Sequence, residues 1–355
     1  MRGRKKPASA ALIIAGGRGT RFWPESRGDR PKPLFALDGK TSLLAATIAR
    51  TAAFVPRERI FALVSADQKR QFVDAIKGLI PPANLIVEPE GRGTAVAIVY
   101  GCAMIAKRLG DEAVVAAMPA DHHVTPVSAY KATLASAIAL ADSHRAIVII
   151  GVPPVRPETG YGYMKTGRPA GNGFKVDRFV EKPPPAMAQK MIRSGKFLWN
   201  AGMFILPLSI LAAELVRHAP TLADAMKNFA TLGPRQLAKL YHELDFDSFD
   251  RVVAEKTAGL LGVRATFQWH DVGSWQGLWE AMRGGGTNVL SGNVVVLGSG
   301  GVLARGGDRL MVLLGVDDLV AVDTGDAILI ARRSRSQEIR GVIDELTRRG
   351  LRRYL

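Results

Sequence analysis

A single cysteine, Cys102, is all that this chain of 355 residues carries, so no internal disulfide can form and a reducing compartment, the cytoplasm, is expected. Cys102 sits in an apolar stretch of helical spacing and reads as a small core hydrophobe. No apolar run approaches the roughly 20 residues that cross a bilayer, so a membrane is not an expected partner. The N-terminus is basic but leads into a strand-length apolar run without a small-residue cleavage site, and it reads as a loose tail rather than a secretory signal. No Gly-x-Ser-x-Gly elbow is present for a hydrolase. No Gly-Lys-Ser/Thr closes a P-loop, and the dinucleotide frame fails because Phe22 stands where a third glycine would be needed.

Acidic residues are also in short supply: 32 against 48 lysines and arginines, a formal net charge of +16. That surplus attracts polyphosphates of any kind. The basic residues are dispersed, however, and there is no helix-turn-helix, zinc-finger or aromatic-basic RNA-binding signature, so nucleic acid is not an expected partner. An anionic small substrate fits part of the charge. A hydrophobic content of 47% belongs to an ordinary globular chain long enough for two domains.

Residues 11–33 carry the strongest local signal. Leu12, Ile13 and Ile14 form a buried-strand run that stops at Gly16-Gly17. Arg18, Arg21, Arg27, Arg30 and Lys32 follow closely, so a backbone free to approach a ligand lies beside donors suited to phosphate oxygens. Further strand-like runs at 60–64, 85–87, 113–118 and 146–150 alternate with helix-like segments at 42–53, 68–77, 94–107 and 128–141. This alternation predicts a parallel sheet with helices on both faces and ligands at the carboxyl ends of strands. After Gly151 the pattern breaks into a hairpin at 161–179 and helices over 207–256, which predicts a second lobe on or beside the first sheet. From Thr287 short β-rich pieces punctuated by glycine predict a small β-solenoid or barrel-like cap, closed by an amphipathic helix at 336–349.

Several segments carry polar groups where a sheet would present them. Asp121 ends an apolar strand and Asp271 lies in an aromatic segment; each alone would suit a helix cap or a turn, and together they could hold one hard cation such as Mg²⁺. His122 and His123 point to opposite sides of a strand and lack a third ligand at zinc spacing. Glu181-Lys182 precedes three prolines, so Lys182 could grip a phosphate and Glu181 a sugar hydroxyl, or the two could form an exposed ion pair. Asn200 places an amide beside Gly202.

Taken in order, these segments resemble the sugar-nucleotide pyrophosphorylase family. Gly16-Gly17-Arg18-Gly19-Thr20-Arg21 with Pro31-Lys32-Pro33 is similar to its signature loop. Glu88-Pro89-Glu90-Gly91-Arg92-Gly93-Thr94-Ala95, Met118 through His122, Glu158 through Tyr163, Phe179 through Pro183, Trp199 through Phe204, Asp250 through Lys256 and Trp269 through Trp275 resemble its mannose-1-phosphate guanylyltransferase branch. The resemblance implies an α/β fold: a Rossmann-like core of the GT-A type with a mixed, mainly parallel sheet over residues 10–285, after a basic tail at 1–9. A left-handed β-helix-like region ending in a helix would occupy 286–355. It implies GTP and mannose 1-phosphate as substrates, GDP-mannose and pyrophosphate as products, and Mg²⁺ as cofactor. By the same resemblance Gly16, Gly17, Gly19, Thr20 and Arg21 hold the triphosphate with Lys32, and Glu88, Gly91, Arg92 and Thr94 help select guanine. Asp121 and Asp271 bind the metal; Gly160, Glu181, Lys182 and Asn200 hold the sugar phosphate; Arg21, Lys32 and Lys182 are the catalytic cations.

Three residues depart from that branch. Gly93 replaces its Asn, Pro33 stands where Gln is common, and His270 stands where a small polar residue is frequent. The isomerase domain of long family members is not expected, because the chain stops at Leu355. Another sugar 1-phosphate or nucleotide, or a non-catalytic sugar-nucleotide sensor, would use the same architecture. A homo-oligomer is left open.

Overall fold

The computed structural model of the chain describes residues 8–17, 19–28, 30–37 and 39–355. Arg18, the Thr20 side chain and the first seven residues of the basic tail, all singled out above, lie outside the described residues.

The first half alternates as the sequence pattern predicts. Strand β1 (Ser9–Ile14) is followed by α1 (Leu43–Thr51), β2 (Ile60–Ser65), α2 (Lys69–Ala75), β3 (Leu85–Glu88), α3 (Gly93–Leu109) and β4 (Val114–Pro119). Then come β5 (His122–Thr125), α4 (Val127–His144) and β6 (Val148–Val152). β1, β2 and β4 are almost wholly buried along their length, which is why they read as continuous apolar runs rather than alternating ones. The sheet divides the core in two. Ala10 and Leu12 of β1 face one cluster with α3, and Ala11 and Ile13 face the other with α1, α2 and α4, as the two-residue period of a strand requires.

The second half continues the same sheet rather than building a separate lobe. It runs through β7 (Tyr163–Ala170), β8 (Gly173–Val180), α5 (Pro185–Arg193), β9 (Phe197–Pro207), α6 (Leu208–His218), α7 (Pro220–Phe229) and α8 (Pro234–Glu243). A π-helical turn at Asp250–Ala254 leads to β10 (Leu261–Arg264), β11 (Gln268–Asp271) and α9 (Trp275–Met282). The nine-stranded sheet has the order β3-β2-β1-β4-β9-β6-β10-β8-β7. It is mixed, as the resemblance implies, but not mainly parallel. Parallel pairing is confined to β3-β2-β1-β4 and β6-β10, whereas β9 inserts antiparallel between β4 and β6 and the hairpin β7-β8 adds further antiparallel pairs.

The glycine-punctuated tail forms β12 (Val289–Ser291), β13 (Val294–Leu297), β14 (Leu303–Arg305), β15 (Met311–Leu314), β16 (Leu319–Asp323) and β17 (Ile328–Arg332), then α10 (Ile339–Arg348). β12, β14 and β16 stack in parallel, as do β13 and β15, while β17 closes antiparallel on β16. Parallel pairing between every second strand is the pattern of a coil stacked on a coil, a β-helix-like region. α10 starts three residues later than the sequence pattern places it, because Arg333–Glu338 forms a tight 3-10 segment first. No helix among the described residues is long and apolar enough to cross a membrane.

A third apolar cluster ties this region back to the loop after β1. Phe22, Phe35, Val272, Trp275, Leu303, Val320 and Ile339 share it. Arg305 reinforces it, pairing with Glu25 at 2.6 Å and donating to the carbonyls of Ala36 and Leu37.

Candidate active site

The sheet order fixes where a ligand can sit. β1 connects outward to β2 and β3, while β4 lies on its other side, so the chain reverses direction between β1 and β4 and leaves a crevice beyond their carboxyl ends. The glycine loop leaves β1 into that crevice, and Asp121 follows β4. Asp271 reaches the same place by another route: β11 pairs antiparallel with β5, with Asp271 opposite His122. Two carboxylates 150 positions apart in the sequence (271 less 121) are thereby neighbours at one crevice.

The crevice opens into a cavity of about 420 Å³. Of the residues named from the sequence, Gly17, Gly19, Lys32, Thr94, Asp121, Gly160, Glu181, Lys182, Asn200 and Asp271 line it. A smaller cavity of about 300 Å³ adjoins it, sharing Gly19, Lys32, Asp121 and Asp271 and adding Arg21, Gly273 and Arg340. Gly16, Glu88, Gly91 and Arg92 line neither. Glu88 is 3% exposed and lies beneath the glycine loop: a Cβ on Gly16 would come 3.0 Å from its Oε1. Arg92 instead bonds Glu90 and His242, tying the loop after β3 to the end of α8.

Gly19 adopts φ 61°, and a Cβ there would collide with the Cβ of Lys32; only glycine allows the loop to fold this closely over the lysine. The Lys32 ammonium, nearly buried, pairs with Asp121 Oδ2 at 2.5 Å. Burial pushes the Asp121 carboxyl up, but Lys32, His122 and hydrogen bonds outweigh it and hold the group below its ordinary value. Asp121 is therefore an anion at neutral pH. His122, buried behind it, is pushed below its ordinary value by desolvation, and its Nδ1 faces Trp269 Nε1 at 3.1 Å.

Elsewhere in the lining of the larger cavity, Glu181 Oε1 and Lys182 Nζ are 3.0 Å apart. Glu181 is nearly buried while Lys182 is half exposed and takes φ 46°, a left-handed bend that turns the chain where three prolines follow. The Asn200 amide is engaged at both ends: its nitrogen donates to Asp250 Oδ1 at 2.6 Å and its oxygen accepts from Gly202 N at 3.0 Å. Thr94 Oγ1 accepts from Phe249 N at 3.0 Å. The rings of Tyr161, Trp199 and Trp269 pack edge to face beside this cavity.

Asp250 and, in the smaller cavity, Arg340 are charged residues that sequence reasoning does not assign to the site. Asp250 is the more buried case. It lines the larger cavity, and burial, with Glu181 nearby, pushes its carboxyl up to about 7. Its motif is visible in the sequence, but a π-helical turn has no period that separates a site residue from its neighbours.

The donor set suits a hard divalent cation. Asp121 and Asp271 offer carboxylate oxygens to one space, and Gly273 keeps Asp271 uncrowded, since a Cβ there would press both carboxylate oxygens at 3.3 Å. Mg²⁺ commonly takes one or two protein carboxylates and fills its other positions with water and phosphate oxygens. Among the described residues no group of three or more His, Cys, Asp or Glu is placed to hold a metal, so water and the phosphates of a ligand would complete the shell around these two carboxylates.

Comparison with known proteins matches the fold. A family model described as nucleotidyl transferase matches residues 10–286, and one described as a mannose-phosphate isomerase/GMP-like β-helix domain matches residues 292–346. The xanthan biosynthesis protein XanB of Xanthomonas campestris pv. campestris is 36% identical over 96% of this chain and 73% of its own length. A mannose-1-phosphate guanylyltransferase of Escherichia coli is 34% identical over 94% of this chain and 73% of its own length. A solved structure from Thermus thermophilus, named as a mannose-1-phosphate geranyltransferase, superposes with a TM-score of 0.87 at 34% identity, covering 96% of this chain and 99% of that one. The chain therefore belongs to the nucleotidyl transferase family, in the branch of the mannose-1-phosphate guanylyltransferases, and is a nucleotidyltransferase.

Proposed function

We propose that the chain transfers GMP from GTP to mannose 1-phosphate, giving GDP-mannose and pyrophosphate, in the cytoplasm where GTP is supplied. Residues 10–285 form the catalytic unit in this reading, and 286–355 form a β-helix-like region packed against it. The observation that carries it is the convergence on one cavity of the glycine loop with Lys32, of Glu181 and Lys182, and of the carboxylates Asp121 and Asp271. The E. coli and Thermus relatives supply the sugar, and the branch supplies the nucleotide.

An oxygen of the sugar phosphate attacks the α-phosphorus of GTP, and the bond from that phosphorus to the β-phosphate oxygen breaks as pyrophosphate leaves. Both reactants are anions, so the chain must neutralise charge and hold the two groups in line. No covalent nucleophile or strong base is required, because a phosphate dianion is already an attacking group. Lys182 grips the sugar phosphate and Glu181 a sugar hydroxyl. Lys32 and Arg21 face the triphosphate, with the backbone N–H groups of the glycine loop beside them. Mg²⁺, held by Asp121 and Asp271, would neutralise charge on the triphosphate.

The test is pyrophosphate release over a grid of nucleoside triphosphates and sugar 1-phosphates with Mg²⁺. GTP with mannose 1-phosphate should be the best pair. Release from no pair refutes the enzyme, and preference for another sugar or base refutes the substrate.

A further inference from the structure

The smaller cavity beside Asp121 and Asp271 takes one wall from the far end of the chain. Arg340, on α10, lines it together with Arg21, Lys32 and Gly19 of the opening loop. We propose that Arg340 binds the β- and γ-phosphates of the nucleoside triphosphate, and hence the pyrophosphate product, so that the C-terminal helix is part of the active site. This rests on the nucleotidyl-transfer reading above.

Three observations carry it. The first is anchorage. Arg340 follows Ile339, which is 3% exposed in the same apolar cluster as Phe22 and Val272. Arg21 precedes Phe22, and Asp271 precedes Val272. One core therefore fixes the residues next to all three charged side chains, and Gln276 N donating to the buried Ser336 Oγ at 3.2 Å holds the turn before α10 against α9.

The second is availability. Most arginines around it are spent on acids: Arg333 pairs with Asp318, Arg335 with Glu338, and Arg348 and Arg349 with Glu345. Arg340 has no ion pair or hydrogen bond to any of the described residues. A guanidinium with its donors uncommitted, facing a polar cavity, suits a bidentate phosphate.

The third is position. Sugar-phosphate residues Glu181, Lys182 and Asn200 line the larger cavity only, and Arg21 and Arg340 line the smaller one only. Asp121, Asp271, Lys32 and Gly19 stand in both. A triphosphate whose α-phosphate meets the sugar phosphate at the shared carboxylates extends its leaving phosphates into the smaller cavity. Three cations against two carboxylates leave that cavity suited to an anion.

The experiment is calorimetric titration of the full chain with inorganic pyrophosphate in the presence of Mg²⁺, comparing wild type with Arg340→Ala, Arg340→Lys and Arg348→Ala. Arg340→Ala should weaken pyrophosphate binding about ten- to a hundredfold, the range of one charge-assisted phosphate contact, and leave GDP-mannose binding unchanged. Arg340→Lys should recover part of the loss. Arg348→Ala, the same charge removed elsewhere on α10, should behave as wild type. Unchanged binding by Arg340→Ala, an equal loss in Arg348→Ala, or a wild type that binds no pyrophosphate overturns the proposal. Turnover is not needed for this measurement: a wild type that binds pyrophosphate through Arg340 yet transfers no nucleotide would refute the function and leave the anion site standing.

Discussion

The carboxyl of Glu88 gives the protein a pH-dependent stability that a single amide should abolish. Burial is the main cause of its rise to about 7 from 4.5; the nearby Asp67 adds to it and the Tyr241 hydroxyl, donating to Oε2 at 2.7 Å, offsets part. The folded value lies above the unfolded one, so the stabilisation belongs to the protonated form. It is fully present below pH 4.5 and is lost as pH rises through 7. A shift of about 2.5 units at ~1.36 kcal/mol each corresponds to about 3 kcal/mol, of which roughly 2 to 3 kcal/mol falls between pH 5 and pH 8. Glu88→Gln removes the titration and keeps an oxygen for Tyr241 to donate to. Urea unfolding of both proteins at pH 5 and pH 8 should show the variant gaining on wild type by about 2 to 3 kcal/mol at the higher pH. Asp250 is also pushed up to about 7, but it titrates in both proteins and cancels from the difference. A stability difference that is the same at the two pH values refutes the reasoning, because it would mean that Glu88 titrates normally in the fold.

The two carboxylates proposed to hold Mg²⁺ should separate by their partners. Asp271→Asn should lower kcat about a hundredfold or more while the unfolding midpoint in urea stays put; near-normal turnover would contradict its role. Asp121→Asn should in addition destabilise the chain by about 3 kcal/mol, since it leaves the nearly buried Lys32 without its counter-charge; stability equal to wild type would show that the pair contributes nothing. Lys182→Ala, altering a half-exposed side chain, should raise KM for the sugar phosphate about tenfold or more and leave KM for the triphosphate alone; a rise confined to the triphosphate would place Lys182 beside the wrong substrate.

Much of the catalytic crevice is legible in the sequence because its parts are local. The apolar run of β1, the stop at Gly16-Gly17 and the acidic end of β4 each follow from a few adjacent residues, and a parallel strand buried on both faces announces itself by composition. Long-range pairing is not legible. β9 is an 11-residue strand that inserts between β4 and β6, and no period in 197–207 states which neighbours it will have. Hence the sheet reads as more parallel than it is, and the hairpin after Gly151 reads as a second lobe. The engagement of Asn200 by Asp250, and the burial that raises Asp250, arise only when the π-helical turn closes on β9. The docking of Ile339 on the cluster around Phe22 is of the same kind.

Gly93, which stands where the branch has Asn, acts through its backbone. In the fold it opens α3 at φ 82°, with its missing Cβ 3.3 Å from the Phe246 carbonyl. Glycine and asparagine are the two residues that enter the left-handed region most readily, so the exchange preserves the turn that aims Thr94 into the cavity.

The central claim is transfer at one site by attack of the sugar phosphate on the α-phosphorus. It is tested most directly with mannose 1-phosphate labelled with ¹⁸O in all its phosphate oxygens, unlabelled GTP and Mg²⁺, reading the products by mass spectrometry. All of the label should appear in GDP-mannose, on the mannose-side phosphate and in the oxygen bridging the two phosphorus atoms, with unlabelled pyrophosphate. Label in the pyrophosphate, or the absence of GDP-mannose, would contradict it.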